Sequence, residues 1–271
     1  RKRARCNDET EQCLMLGLNW KLKERASAGR PIRVGVNGAG WMGSGFVAQM
    51  ATMKGIEAVL VADEDLDAAR QALIEAGYPA EDIVAAESVA DANRALERGS
   101  RVITPHYSLA AQAHGVDIVA DVTASPAVGA QTASACIEHG KDVVMVNVEA
   151  DVTIGSILSL KAKKAGILYT VSSGDEPGAL KELFDFVDGM GHTIVAIGKG
   201  KNNPLDRAAN PETMAAAARR TNKDPYQVAS YVDGTKTMFE MACAANATGC
   251  VPDVRGMHGP EGDLQTVIRL L

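Results

Sequence analysis

Two groups of residues in this chain of 271 have types and spacings suited to chemistry. The first is Gly38-Ala39-Gly40-Trp41-Met42-Gly43, a Gly-x-Gly-x-x-Gly turn directly after the β-branched run Ile32 to Asn37, with Phe46, Val47 and Met50 on one face of a helical pattern behind it. In that context each glycine has a task. Gly38 permits a tight turn, Gly40 lets a pyrophosphate approach the backbone, and Gly43 lets the helix pack close to the strand. Free N–H groups and the positive end of the helix dipole then face the phosphates. A second strand, Glu57 to Ala62, ends on Asp63, twenty positions beyond Gly43, where an acid can accept from the hydroxyls of an adenosine ribose. Gly38, Gly40, Trp41, Met42, Gly43 and Asp63 are therefore candidate dinucleotide-binding residues.

The second group lies past residue 190. Thr193 to Lys199 reads as a strand on which Thr193, Val195, Ile197 and Lys199 share one face, with Lys201 continuing it. The run Gly198-Lys199-Gly200-Lys201-Asn202-Asn203-Pro204 offers two ammoniums, two amides and flexible glycines, which suit a phosphate or carboxylate on a substrate. A solvated lysine loop is the plainer alternative. Pro225 to Ala247 reads as one long helix. On it Asp233, Lys236 and Glu240 fall within about 60° at 3.6 residues per turn, beside an apolar stripe of Val228, Val232, Thr235 and Phe239. Spacing alone gives that charged face to solvent, as i,i+3 and i,i+4 ion pairs.

The elements that must position these groups alternate. Helices are expected at Asp67 to Glu75 and Val89 to Arg98, and a short apolar stretch at Arg101 to Thr104. A buried strand from Val116 ends in the loop Thr123-Ala124-Ser125-Pro126, ahead of a helix that closes at Gly140. The strand Asp142 to Val146 leads into Asn147, Val148 and Glu149; a helix Ile154 to Lys164 and a strand Ile167 to Val171 follow. Such alternation specifies an α/β fold with a parallel sheet covered on both faces, and ligands lie at the carboxyl ends of its strands. Thr123 and Ala124 are thus expected to face the ribose or nicotinamide, and Asn147 and Glu149 the reactive ring. Asp175 reads as an N-cap with Pro177 in the first turn, leaving Glu176 free to project toward a ligand.

Composition bounds the function. A net charge of −6, pI near 5.5 and 46% apolar residues describe a globular chain with a real core, and no clustered basic footprint for nucleic acid. Neither a signal peptide nor an apolar run of membrane length is visible, and Cys6, Cys13, Cys136, Cys243 and Cys250 are odd in number with no Cys-x-x-Cys spacing. A reducing cytoplasm and inert, hydrophobe-like thiols are expected. The opening cluster Arg1, Lys2, Arg3 and Arg5, an acidic patch and the run Leu14, Leu16, Leu18, Leu22 form an extension over 1–30, which Trp20 could pin to the body of the fold.

Taken together, Asn147-Val148-Glu149-Ala150-Asp151, Gly174-Asp175-Glu176-Pro177, the loop from Gly198 to Pro204, Asp233-Gly234-Thr235-Lys236-Thr237 and Gly256-Met257-His258-Gly259-Pro260 resemble the homoserine-dehydrogenase-like oxidoreductases. Within them the chain looks closest to the branch of 1-deoxy-D-xylulose 5-phosphate reductoisomerase-like enzymes, over roughly Lys21 to Pro260. The resemblance implies a Rossmann-type doubly wound domain over 31–173 and a second, smaller α+β catalytic region over 174–271. It also implies NADP, a phosphorylated keto substrate, a role in isoprenoid biosynthesis, and a homo-oligomer. Lys199, Lys201, Asn202, Asn203, Lys236 and Glu176 become catalytic or substrate-side candidates, Lys236 as the group that polarises a carbonyl or moves its proton. A divalent cation on Glu176, Asp175 or Glu149 would serve an isomerisation, although no carboxylate spacing demands a metal.

Two departures are visible. The SAF-type C-terminal domain usual in relatives is expected to be missing, since the chain stops at Leu271. Asp63-Glu64-Asp65 has no arginine nearby for a 2′-phosphate, which favours NAD over the NADP of the family. Alternative readings are homoserine dehydrogenase itself, whose lysine after the strand asparagine is Val148 here, and a non-catalytic dinucleotide sensor or inactive truncated relative.

Overall fold

The computed structural model describes residues 19–270 apart from 222, 253 and 264. The basic cluster at Arg1 to Arg5, Cys6, Cys13, Leu14, Leu16 and Leu18 lie outside the described residues. By contacts the chain divides into two units, Arg1–Val144 with Leu160–Tyr169, and Met145–Ser159 with Thr170–Leu271.

The first unit begins with α1 (Asn19–Ser27), whose Leu22 carbonyl lies so close to Gly55 that a Cβ there would sit 1.9 Å from the oxygen. Only glycine allows that approach, and it fastens the helix to the start of the second strand. From there the order is β1 (Ile32–Asn37), α2 (Trp41–Thr52), β2 (Ile56–Ala62), α3 (Leu66–Glu75), β3 (Ile83–Ala85), α4 (Val89–Glu97), β4 (Arg101–Thr104), α5 (Ser108–Gln112), β5 (Ile118–Asp121), α6 (Pro126–His139), β6 (Asp142–Met145), α7 (Val148–Ala165) and β7 (Tyr169–Val171). The seven strands form one sheet in the order β3-β4-β2-β1-β5-β6-β7. β1 pairs in parallel with β2 on one side and β5 on the other, while β4 pairs in parallel with β2 and β3. The chain thus winds outward from β1 in one direction and then resumes beside it in the other, the doubly wound arrangement whose switch point lies between the ends of β1 and β5. Strand β3 was not visible in the sequence, because three residues with one buried side chain carry too little pattern.

Local chemistry sets the boundaries. Asp65 caps α3 by accepting from the Asp67 and Ala68 N–H groups, Ser88 caps α4 at Asp91, and Ser125 caps α6 with Pro126 in its first position. Gly140 closes α6 in the left-handed region, φ 68°. One face of the sheet buries Val34, Val36, Ala58, Val61 and Ile103 against Val47 and Met50 of α2 and Leu73 of α3. Each of these side chains larger than alanine contributes roughly 1.5–3 kcal/mol on burial. The strands are short and nearly all apolar because both faces are covered.

The second unit contains the first part of α7, then α8 (Glu176–Gly189), α9 (Pro211–Thr221), α10 (Pro225–Asp233), α11 (Thr235–Thr248) and the terminal turn α12 (Val267–Leu270). Three expectations are corrected here. The long helix over 225–247 is two helices, since Gly234 at φ 91° ends α10 and starts α11. Thr193 to Lys199 is not a strand: the segment has no sheet partner among the described residues, and Val195 is 94% exposed. The helix after β6 starts at Val148 rather than near Ile154, because the Asn147 side chain accepts from the Ala150 N–H at 3.0 Å and caps it.

Candidate active site

In the first unit the glycine turn has the shape expected of it. Gly38 adopts φ 103°, with the Val122 and Thr123 backbone packed 3.1 Å from where a Cβ would be. A Cβ on Gly43 would fall 2.0 Å from the Gly38 carbonyl oxygen, so α2 lies directly on the turn. Gly40 is the opposite case: it is the N-cap of α2, no side chain caps that helix end, and a Cβ there would meet nothing within 4 Å. This is the open approach to uncapped N–H groups that a pyrophosphate requires. Trp41 and Met42 follow on the first turn, both well exposed.

Asp63 is brought to the same turn. One of its oxygens accepts from the Ala39 N–H at 2.6 Å and the other from the Asp65 N–H at 2.9 Å. Tyr107, beyond β4, lies beside it: burial raises its phenol pKa, and the charges of Asp63 and Glu64 raise it further. Across the switch point, buried Asp121 accepts at one oxygen from both the N–H (3.1 Å) and the hydroxyl (2.7 Å) of Thr123, which fixes the loop that continues to exposed Ala124. Asn37, fully buried at the end of β1, donates to the Tyr107 carbonyl and the Thr132 hydroxyl, and its own Oδ1 has no partner. Beside it lies a cavity of about 240 Å³ lined by His106, Tyr107, Gln131 and Thr132, among others. The sequence offered no reason to single out Asn37, Tyr107 or Thr132.

The second unit gathers most of the remaining candidates around α11. Lys236 faces Glu149 of α7, with Nζ 3.0 Å from Oε1. One turn later Glu240, only 3% exposed, is paired with Lys199, whose ammonium also lies 2.8 Å from Glu176. The charged face assigned to solvent is therefore partly interior: the apolar neighbours Met241, Cys243 and Ala244 carry Glu240 inward, and Lys199 compensates it. Burial works to lower the Lys199 pKa, but its hydrogen bonds to Glu176 and Glu240 outweigh that and leave it raised. Lys199 is thus a permanent cation at neutral pH. The same hydrogen bond holds the Glu176 carboxyl below its ordinary value, whereas burial raises that of Asp175, which caps α8 as expected.

Lys201 reaches the ring of Tyr231 on α10, 5.7 Å from its centroid, and Asn203 donates to the Tyr231 carbonyl at 2.8 Å. Asn202 is exposed. Burial raises the Tyr231 phenol, with Lys236, Glu149 and Glu240 all acting on it. Tyr231 was missed because nothing in a helical Tyr marks it until the turn at Gly234 brings its surroundings together.

The buried thiols behave as read. Burial pushes Cys136 and Cys243 up to about 12, with Asp121 and Asp151 adding to the effect respectively. Among the described residues no group of three or more His, Cys, Asp or Glu is arranged for a metal ion. Glu149 and Glu176 each face a lysine instead, a donor set unsuited to a cation. A cavity of about 450 Å³ in this unit is lined by residues such as Phe184, His192 and Cys250 and includes none of these charged side chains.

Comparison with known proteins matches two consecutive segments. Residues 38–171 fit the NAD-binding domain of homoserine dehydrogenase, and residues 174–271 fit the catalytic domain of the oxidoreductase DRL. The two matches follow one another along the chain, an NAD-binding domain model first and an oxidoreductase catalytic domain model second. No curated protein matches it. Among solved structures it is similar to an NAD-binding oxidoreductase from Klebsiella pneumoniae, at 17% identity over 59% of this chain and 39% of that one, TM-score 0.41. It is also similar to myo-inositol dehydrogenase from Lactobacillus casei in complex with NAD(H) and myo-inositol, at 20% identity over 58% and 42%, TM-score 0.39. A third is scyllo-inositol dehydrogenase from the same organism with bound NAD(H) and scyllo-inositol, at 14% identity over 70% and 49%, TM-score 0.43. The chain spans less than half the length of each of these. No described helix is long and apolar enough to cross a membrane.

Proposed function

We propose that the protein is an NAD(P)-dependent oxidoreductase acting, as a homo-oligomer, on a small keto or hydroxy substrate with an anionic group. In its fullest form the reading is a reductoisomerase of the 1-deoxy-D-xylulose 5-phosphate type, one step in isoprenoid biosynthesis. The observation that carries it is the Lys236–Glu149 pair, a half-buried ammonium held by a carboxylate within a DRL-type catalytic domain.

The nicotinamide supplies hydride chemistry when bound. Gly38, Gly40 and Gly43 with the start of α2 would hold its pyrophosphate, Asp63 would take the adenosine ribose hydroxyls and Thr123 would face the ribose or nicotinamide. The acids at 63 to 65 favour NAD, since a 2′-phosphate would meet like charge. Lys236 donates an N–H from Nζ to the substrate carbonyl oxygen and gives up that proton as negative charge gathers there. Glu149 Oε1 keeps the ammonium oriented and supports its recharging. Lys199 holds Glu176 and Glu240 together and so fixes the loop that carries Lys201 to Asn203.

Titration of the protein with NADH and NADPH, followed by cofactor absorbance with a panel of phosphorylated keto sugars and with aspartate semialdehyde, tests this. Turnover with a keto sugar phosphate that Lys236→Met reduces by about 10²-fold or more, with cofactor affinity kept, is the expected result. Turnover confined to the semialdehyde would replace this reading by homoserine dehydrogenase. Tight cofactor binding with no turnover on any substrate would replace it by a sensor.

A further inference from the structure

Three acids follow one another at the end of β2, Asp63, Glu64 and Asp65, and they differ in what they already bind. Asp63 accepts from the Ala39 N–H at one oxygen, 2.6 Å, and from the Asp65 N–H at the other, 2.9 Å. Asp65 is the N-cap of α3: its Oδ1 accepts from the Asp67 and Ala68 N–H groups, each at 3.0 Å. The Asp63 N–H goes to the Thr104 carbonyl at 3.0 Å, which ties this end of β2 to the loop after β4. In that loop Tyr107, held through its carbonyl by buried Asn37, has Asp63 and Glu64 beside its phenol, and the phenol takes a hydrogen bond from the Glu64 backbone. The two helix starts that meet at Asp63 are thus treated in opposite ways, α2 left without a side-chain cap and α3 closed by an acid.

A plain ribose and a ribose 2′-phosphate ask opposite things of such a place. Ribose hydroxyls can donate, and each Asp63 oxygen, with one hydrogen bond accepted, keeps lone-pair capacity for them. A phosphate monoester carries a charge of about −1.5 to −2 and needs N–H donors or a cation. The backbone donors of Ala39, Asp65, Asp67 and Ala68 are already taken, each by a carboxylate. No Lys or Arg occurs from Asp63 to Ala69; Arg70, the next along the chain, donates to the Ile83 carbonyl at 3.2 Å, and the His106 imidazole faces Glu87 at 3.1 Å. The cap on α3 weighs most, because an uncapped helix start receives anions readily.

We propose that Asp65 is a specificity-determining residue for the cofactor: by capping α3 it withholds the N–H groups that a 2′-phosphate would need, and so restricts this end of β2 to the unphosphorylated ribose of NAD. This rests on the reading above that the glycine turn and Asp63 take a dinucleotide. Asp65 acts here in two separable ways, through its charge and through the donors it occupies. Asp63 keeps the ribose-binding part, and Tyr107 adds to the exclusion by engaging the Glu64 backbone between the two acids.

The test is fluorescence titration of the full chain with NADH and NADPH, read as the ratio of the two dissociation constants. Wild type is expected to bind NADH about 100-fold more tightly or better. Asp65→Asn removes the charge and keeps a capping acceptor, and should narrow the ratio about threefold. Asp65→Gly also frees the two N–H groups, giving α3 the open start that Gly40 gives α2, and should narrow it about tenfold further. Glycine is well tolerated at an N-cap, so this variant folds. Ser88→Gly removes the corresponding cap of α4 and should leave the ratio as in wild type. Equal ratios in Asp65→Asn and Asp65→Gly would give the choice to charge alone and overturn the capping role, as would wild type that binds both cofactors equally. Wild type that binds neither removes the dinucleotide reading and this inference with it. A ratio that shifts as expected in a chain that reduces no keto substrate keeps the inference and loses the proposed reaction.

Discussion

Gly40 and Gly43 stand three residues apart in one turn, yet replacing each by alanine should fail in opposite ways. At Gly43 the new methyl would lie 2.0 Å from the Gly38 carbonyl oxygen and 2.8 Å from its carbon, both inside the 3.0 Å that real Cβ atoms keep. Both neighbours are backbone, so no side chain can rotate aside and α2 must move off the turn. Overpacking of this kind costs typically 1–3 kcal/mol, and loss of helix–strand contact places this case near the upper end. For a domain of this size that is a fall in Tm of about 4–10 °C. At Gly40 a methyl meets nothing within 4 Å, so the fold loses only the N-cap preference of Gly over Ala, below about 1 kcal/mol. Yet that empty space is where the proposed site takes the pyrophosphate. Thermal melting and NADH fluorescence titration of both variants separate the two effects: Gly43→Ala should melt early, and Gly40→Ala should melt near wild type while NADH affinity falls tenfold or more. If Gly40→Ala binds NADH as wild type does, the cradle has been assigned to the wrong atoms. An unchanged Tm in Gly43→Ala would refute the packing argument.

Lys199→Met should destabilise the second unit by about 3–5 kcal/mol, because it leaves the Glu240 side chain in the interior without its partner, whereas the double variant with Glu240→Gln should recover most of that loss in urea melts. A solvated lysine loop would give less than about 0.5 kcal/mol for the single change. Melting against pH gives a further check: Glu176 has its folded pKa lowered by the Lys199 hydrogen bond, so its contribution is complete above the unfolded value near 4.5 and fades as pH falls through the lower folded one. Lys199, raised above 10.5, contributes fully below that value and loses its contribution only as pH rises through the raised one. The carboxylate-linked part of the acid slope should flatten in Lys199→Met. Asp175 titrates in the opposite sense, since burial raises its carboxyl and favours the protonated form as pH falls.

The first unit was largely legible because its signals are local. A β-branched strand, a glycine spacing and an acid at a fixed offset are chemical necessities of one short segment, and Asp63 does reach the turn, at the Ala39 N–H. Helix caps at Ser125 and Asp175 and the glycine at 140 are equally local. The second unit resisted for a different reason. Alternation from Thr193 to Lys199 satisfies the strand pattern, but a strand also needs a partner, and pairing is not written in the segment that seeks it. Glu240 looked like one more charge on an amphipathic face; that it is buried depends on Lys199, 41 residues earlier. Pairs of that separation leave no period to read.

Gly234 shows how one backbone angle turns such scattered residues into a site. In an unbroken helix, Tyr231 and Lys236 would be five residues and about 140° apart, on nearly opposite faces. With Gly234 at φ 91°, a value that costs an L-residue strain, α10 ends and α11 starts in a new direction. The Tyr231 phenol then comes under the charges of Lys236, Glu149 and Glu240 together, while Lys201 and Lys223 reach its ring. The break also divides the labour of α11. Its first turn presents Lys236 to Glu149, and its second sends Glu240 to Lys199, so the helix carries a half-buried ammonium at one level and a buried carboxylate at the next, each matched by a group from another element.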